Sequence, residues 1–260
     1  MIVQDIFIVL LGLVFGSFLY TMALRFYHGD SIWYRSSCDY CSAKIGIVGL
    51  IPILGFVVNR GKCRNCGNEI PWIYPLVEIF NAGLVYAIYI KTGWHLEFVH
   101  GFIIFEALLL VAYLDFRAHL IFPQPVVVSF LFQCVWLLLV RSADLLSSLI
   151  GLFMGAGIFH WISYFYQNIR KRVGLGEGDA TLLGLIGFAF GWNMLFSVIF
   201  WGAVFGILGG GILLLIRRQS WKDEIAFGPW LILATFLTWY FPEFFKTVPF
   251  KTTYQLMLQY

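Results

Sequence analysis

The sequence predicts an all-α polytopic membrane protein: about eight transmembrane helices with a small cytoplasmic four-cysteine zinc-binding domain. Three observations lead there. Of its 260 residues, 60% are hydrophobic and 12% charged, where a soluble domain carries roughly 25% charged residues. The apolar residues fall into eight runs, most near the ~17–25 residues that a helix needs to cross the hydrocarbon. The one sizeable polar segment, about Arg25 to Pro71, carries two Cys-x-x-Cys pairs. The basic residues are dispersed beside apolar runs, which excludes a nucleic-acid-binding footprint.

In chain order the runs are about Ile2–Leu24, Trp72–Ile90, Phe98–Leu114, Ile121–Val140, Leu145–Tyr166, Asp179–Gly191, Met194–Ile216 and Ile225–Tyr240. The first has Asp5 in place of a cationic start and is too long for a signal-peptide core, so it reads as a membrane helix ended by Arg25. The expected organisation is 1–24 first helix, 25–71 zinc-binding loop, 72–241 a membrane core of seven helices, and 242–260 a C-terminal tail. Gly151, Gly155, Gly157, Gly202, Gly206 and Gly209 to Gly211 suit close helix packing and mark no site.

Orientation follows from Lys and Arg, which concentrate in cytoplasmic loops. With the N-terminus outside, the inner loops hold Arg25, Arg35, Lys44, Arg60, Lys62, Arg64, Arg117, Arg170, Lys171, Arg172, Arg217, Arg218 and Lys222. Of the 17 basic residues only Lys91, Arg141, Lys246 and Lys251 remain outside. The short sixth run must cross to keep Arg217 and Arg218 inside. Its length implies a thinned bilayer or a start enclosed by protein. Gly191-Trp192-Asn193 is then a tight outer turn.

Cys38, Cys41, Cys63 and Cys66 are spaced as four thiolates for one structural Zn²⁺, with Gly67 supporting a knuckle turn. The rival reading, two disulfides, needs an oxidising compartment. The orientation places the loop in the cytoplasm. Cys134, inside an apolar run, reads as a small buried hydrophobe.

Two acids stand at corresponding places. Asp115 closes the third run, and Asp179 opens the sixth within Gly176-Glu177-Gly178-Asp179. The topology puts both at the cytoplasmic membrane boundary. Such a pair can share a proton, one carboxylate activating water while the other donates to a scissile carbonyl. Gly176 and Gly178 allow close substrate approach. The plain alternatives are an N-cap for Asp179 and a boundary residue paired with Arg117 for Asp115. Glu106, mid-membrane, is a functional candidate by default, or else a paired interior group. Glu78 is placed to anchor the metal loop or serve a second activity. Glu177 reads as loop surface. His28, His95, His100, His119 and His160 show no ligand spacing, and His119 is assigned to the membrane interface.

Taken together, these residues resemble the type IV prepilin peptidases, bacterial inner-membrane aspartic proteases of the GxGD type. The likeness runs through Gly16-Ser17-Phe18-Leu19, Ser36-x-Cys38-x-x-Cys41, Ile51-Pro52, Arg60-Gly61-Lys62-Cys63-x-x-Cys66 and Tyr74-Pro75-Leu76-Val77-Glu78. It continues through Asp115-x-Arg117 with Ile121, Gly176-x-Gly178-Asp179 with Leu182-Leu183, and Phe227-Gly228-Pro229. The resemblance implies that Asp115 and Asp179 are catalytic, with Gly176, Gly178 and Arg117 in support. It implies cleavage of the basic leader of a prepilin or pseudopilin after a glycine, on the cytoplasmic side. The substrate's apolar helix would lie among the enzyme's helices in the bilayer. Many members also methylate the new N-terminus with S-adenosylmethionine, an activity linked to the cysteine loop. Tyr20, Leu50, Phe122 and Thr181 depart from the family pattern. The first two lie nearer the part tied to methylation, the last two beside intact aspartates. Two other classes stay open: a zinc-stapled scaffold or transporter without enzymatic activity, and a GxGD protease with a different membrane substrate.

Overall fold

The computed structural model describes residues 2–170, 176–212 and 226–245. The described elements are helical. The only extended pairings among them are two isolated bridges, Ser37 with Lys44 and Lys62 with Glu69. The helices are α1 Ile2–His28, α2 Ile47–Leu50, α3 Leu54–Val58, α4 Ile73–Thr92, α5 Leu96–Ala118, α6 Pro123–Leu139, α7 Leu145–Arg170, α8 Glu177–Phe190, α9 Trp192–Phe205, α10 Gly228–Tyr240 and α11 Pro242–Phe245. A π-helical segment, Gly206–Gly210, extends α9. The chain forms two compact units, residues 1–106 and 107–260, with the boundary inside α5.

In the first unit α1 packs on α4. The buried residues of α1 are Ile8, Gly12, Gly16, Leu19 and Ala23, a single stripe at helical spacing. The remainder of α1 exposes Phe7, Leu10, Val14 and Phe18, a surface suited to lipid. The stripe is glycine-centred because the backbones nearly touch. A Cβ on Gly12 would stand 2.6 Å from Ala82 Cα, and one on Gly16 would stand 2.8 Å from Asn81 Cβ. At the other side of this unit Phe7, Tyr89, Trp94 and Phe98 make a ring cluster, the kind of aromatic girdle found at membrane interfaces.

The second unit is built around α8, which contacts α6, α7, α9 and α10. Along it Ala180, Leu182, Leu183, Leu185, Ile186 and Phe188 are all buried. A 14-residue helix rises only about 21 Å, short of the ~30 Å hydrocarbon. The enclosure of its middle turns, Leu182 to Phe188, explains how so short a helix is tolerated. Gly151 and Gly155 of α7 lie against the backbone of Gly187 and Leu183 of α8, as their spacing predicts. Gly157 and Gly211, by contrast, face open space.

Each of the eight apolar runs contains a helix. Among the described residues, five helical segments are long and apolar enough to cross a membrane: Ile2–His28, Ile73–Thr92, Leu96–Ala118, Ser142–Tyr166 and Trp192–Gly210. The others have 17, 14 and 13 residues. Two terminators shorten them. Phe122 is extended before Pro123, so α6 starts later than Ile121. Gly191, at φ 81°, stops α8 and leads at once into α9, making the turn one residue rather than three. Lys171, Arg172, Arg217, Arg218, Lys222 and the tail beyond Phe245 lie outside the described residues.

Candidate active site and metal centre

The four cysteines come from two turns of the same design. In each, the first cysteine's amide receives a partner five residues on: Cys38 N–H donates to Ala43 O at 3.0 Å and Cys63 N–H to Asn68 O at 2.8 Å. The residue after each pair, Ser42 at φ 55° and Gly67 at φ 74°, takes the left-handed conformation that reverses the chain. The four sulfurs lie within 4.8 Å of one another. Cys38 and Cys66 Sγ are 3.8 Å apart, Cys41 and Cys63 Sγ 4.0 Å. Sulfurs bonded at about 2.3 Å to one tetrahedral ion stand roughly 3.8 Å apart, and disulfide sulfurs about 2.05 Å. The geometry fits an ion and not two disulfides. The backbone N–H groups of Cys66 and Asn65 draw the Cys63 thiol down to about 6. Cys66 moves the other way, to about 12: the Asn68 N–H favours its thiolate, but burial and the neighbouring thiols of Cys41, Cys63 and Cys38 outweigh it. Crowded sulfurs of this kind need a cation to ionise together. Among the described residues this is the only cluster able to hold a metal.

The loop is tied to the membrane helices by an acid. Glu78, buried in α4, accepts the N–H of Ile53 at 2.7 Å. Ile53 has φ 58°, which is uncommon for a β-branched residue, so the carboxylate holds a strained turn in place. Of the two roles expected for Glu78, anchoring of the loop is the one seen.

Asp115 sits in the last turn of α5 and is only 6% exposed. Asp179 is half-buried. It is not an N-cap, as its position before an apolar run suggested: Gly176 caps α8, and Asp179 is the third residue of the helix. Its N–H donates to Gly176 O at 3.1 Å. Three contacts draw the two segments together. A Cβ on Gly178 would lie 2.9 Å from Ile121, six residues beyond Asp115. Gly228, at the start of α10, donates its N–H to Asp115 Oδ2 at 2.9 Å. A Cβ there would meet Asp115 Oδ2 at 2.6 Å and Leu182, one turn beyond Asp179, at 3.5 Å. The charge on Asp115 acts on the Asp179 carboxyl. Burial, small residues and two acids within electrostatic reach make a site able to handle protons on either side of a bound carbonyl.

The remaining candidates separate. Glu106 is a paired interior group: Asn81 Nδ2 donates to both its oxygens, at 3.0 and 3.3 Å, and to Gly12 O at 2.9 Å. Asn81 was not singled out in the sequence; a lone amide amid an apolar run was the available signal. Arg117 is exposed. His119 is exposed too, and its N–H closes α5 on Asp115 O at 2.8 Å. Cys134 is only half-buried, since one side of α6 stays open. The Glu177 side chain lies outside the described residues.

The sequence is similar to known families and proteins. The description "Bacterial Peptidase A24 N-terminal domain" matches residues 10–92, and "Type IV leader peptidase family" matches residues 102–211. A prepilin leader peptidase/N-methyltransferase of Bacillus subtilis is 31% identical over 233 residues, 89% of this chain and 92% of that one. One of Myxococcus xanthus is 30% identical over 229 residues, 85% and 68% of the two chains. One of Dickeya chrysanthemi is 28% identical over 261 residues, 87% and 89%. No solved structure matches.

Proposed function

The chain belongs to the type IV leader peptidase family, and on that premise we propose that it removes the leader peptide from prepilins or pseudopilins as a membrane aspartic endopeptidase. The observation that carries the reading is the convergence of α5, α8 and α10 on Asp115. Asp115 and Asp179 are the catalytic pair. One takes a proton from water as its oxygen attacks the scissile carbonyl carbon. The other gives its proton to the carbonyl oxygen. Collapse of the hydrate returns a proton to the departing amine, and both acids regain their starting forms. Gly176 and Gly178 keep the approach to Asp179 clear, and Arg117 lies beyond Asp115 toward the charged boundary. The enzyme sits in the bacterial inner membrane with its N-terminus periplasmic, and the site and cysteine loop face the cytoplasm. Its partners are the bilayer and the substrate's apolar helix.

The cysteine quartet holds a structural Zn²⁺, because protein supplies all four ligands and leaves no open position. The relatives are also named N-methyltransferases, and this chain carries the same second activity. S-adenosylmethionine supplies the methyl group when bound.

The test is leader removal from a co-expressed prepilin in membranes. Asp115→Asn and Asp179→Asn each abolish it while the protein stays membrane-inserted. Full cleavage by either variant refutes the reading.

A further inference from the structure

We propose that the backbone N–H of Gly228 is a positioning group for Asp115, fixing which carboxyl oxygen is left to meet water. The inference rests on the catalytic reading of Asp115. Gly228 is the first residue of α10, and Pro229 follows. The first turn of a helix has N–H groups without intrahelical partners. Here each is accounted for. Pro229 has none. Trp230 and Leu231 donate back to Phe227 O at 3.1 and 3.2 Å. Gly228 alone in that turn turns its N–H outward, to Asp115 Oδ2 at 2.9 Å.

A carboxylate on one side-chain torsion can present either oxygen. With Oδ2 held by the Gly228 N–H, the carboxylate is biased to present Oδ1 to water. The residue must also be glycine. A Cβ at 228 would stand 2.6 Å from Oδ2 and 3.3 Å from Cγ of Asp115, which would push the carboxylate off its donor. Phe227-Gly228-Pro229 thus supplies one outward N–H, no side chain above it, and a proline that adds no competing donor. The bland alternative is that Asp115 simply caps α10. Under it the contact stabilises the fold and has no effect on turnover.

The decisive variant replaces Gly228 by glycolic acid during cell-free synthesis into lipid nanodiscs. The amide becomes an ester, which deletes the N–H and adds no atom at the α-carbon. With a purified prepilin as substrate, kcat should fall on the order of 10²-fold, the worth of a hydrogen bond to a charged group, with KM within about twofold. Unchanged kcat, or a rise in KM alone, overturns the proposal. Gly228→Ala gives a second arm: kcat falls, and adding Leu182→Ala, which frees space toward α8, does not restore it. Restoration would make the effect one of packing and overturn the proposal. Asp115→Asn in the same assay separates the two levels. If it cleaves normally, the catalytic reading has failed. If it is inactive while the ester is normal, only the positioning role has failed.

Discussion

Asn81 shows how one buried side chain can tie helices together without being chemically reactive. Its amide nitrogen serves Gly12 O on α1 and both oxygens of Glu106 on α5. Removing one member of a buried polar set strands its partners at a cost of about 1–3 kcal/mol, whereas replacing both sides by apolar groups is far cheaper. Asn81→Leu should therefore lower the unfolding temperature in detergent, and Asn81→Leu with Glu106→Leu should recover much of the loss. If the double variant is the less stable by the sum of the two singles, the set is not one unit. At the metal site, Cys63→Ser should take bound zinc from one ion per chain to well below one, read by elemental analysis. Retention of one ion by the variant would rule out the four-thiolate site. The cysteines were legible in the sequence because both turns are local and each carries its own spacing. Asp115 and Asp179 stood out as acids beside apolar runs. The Gly228 donor could not be read: it lies 113 residues beyond Asp115, and a backbone N–H is common to every residue but proline.

Helices were legible as apolar runs, but their ends and surroundings were less so. An apolar stretch reads alike whether lipid or protein surrounds it, so the enclosure of α8 came only with its four neighbours. The glycines divide on the same ground. Gly151 and Gly187 meet backbone to backbone, while a Cβ on Gly157 would meet nothing within 4 Å. Gly151→Val should separate α7 from α8 and abolish leader removal together with stable membrane accumulation. Gly157→Ala, on the same helix, should leave both unchanged and gain slightly from helix propensity. Equal damage from the two would contradict the close-packed α7–α8 contact. The same logic explains Gly12 and Gly16, whose role on α1 became plain only once Ala82 and Asn81 were opposite them.

Across the chain, the two compact units hold different groups. Residues 1–106 hold the sulfur cluster and the Glu78 anchor. Residues 107–260 hold both aspartates and the Gly228 contact. Composition and the positive-charge bias made the membrane setting legible from the sequence, and among the described residues five helices reach spanning length. The shorter ones need not fail to cross: a helix enclosed by others need not match the bilayer by itself. Assigning the activities to separate regions predicts that Cys38→Ser impairs methylation of the mature pilin more than removal of its leader, measured by mass spectrometry of the pilin N-terminus. Equal loss of both would place the two activities under one structural control.

The central claim is that Asp115 and Asp179 of one chain act on one peptide bond together. Leader removal in membranes carrying Asp115→Asn and Asp179→Asn chains side by side tests it most directly. A site that needs both acids in the same chain leaves the mixture as inactive as either variant alone. Recovery of cleavage toward the wild-type rate would show that the two acids work apart, and would contradict the account.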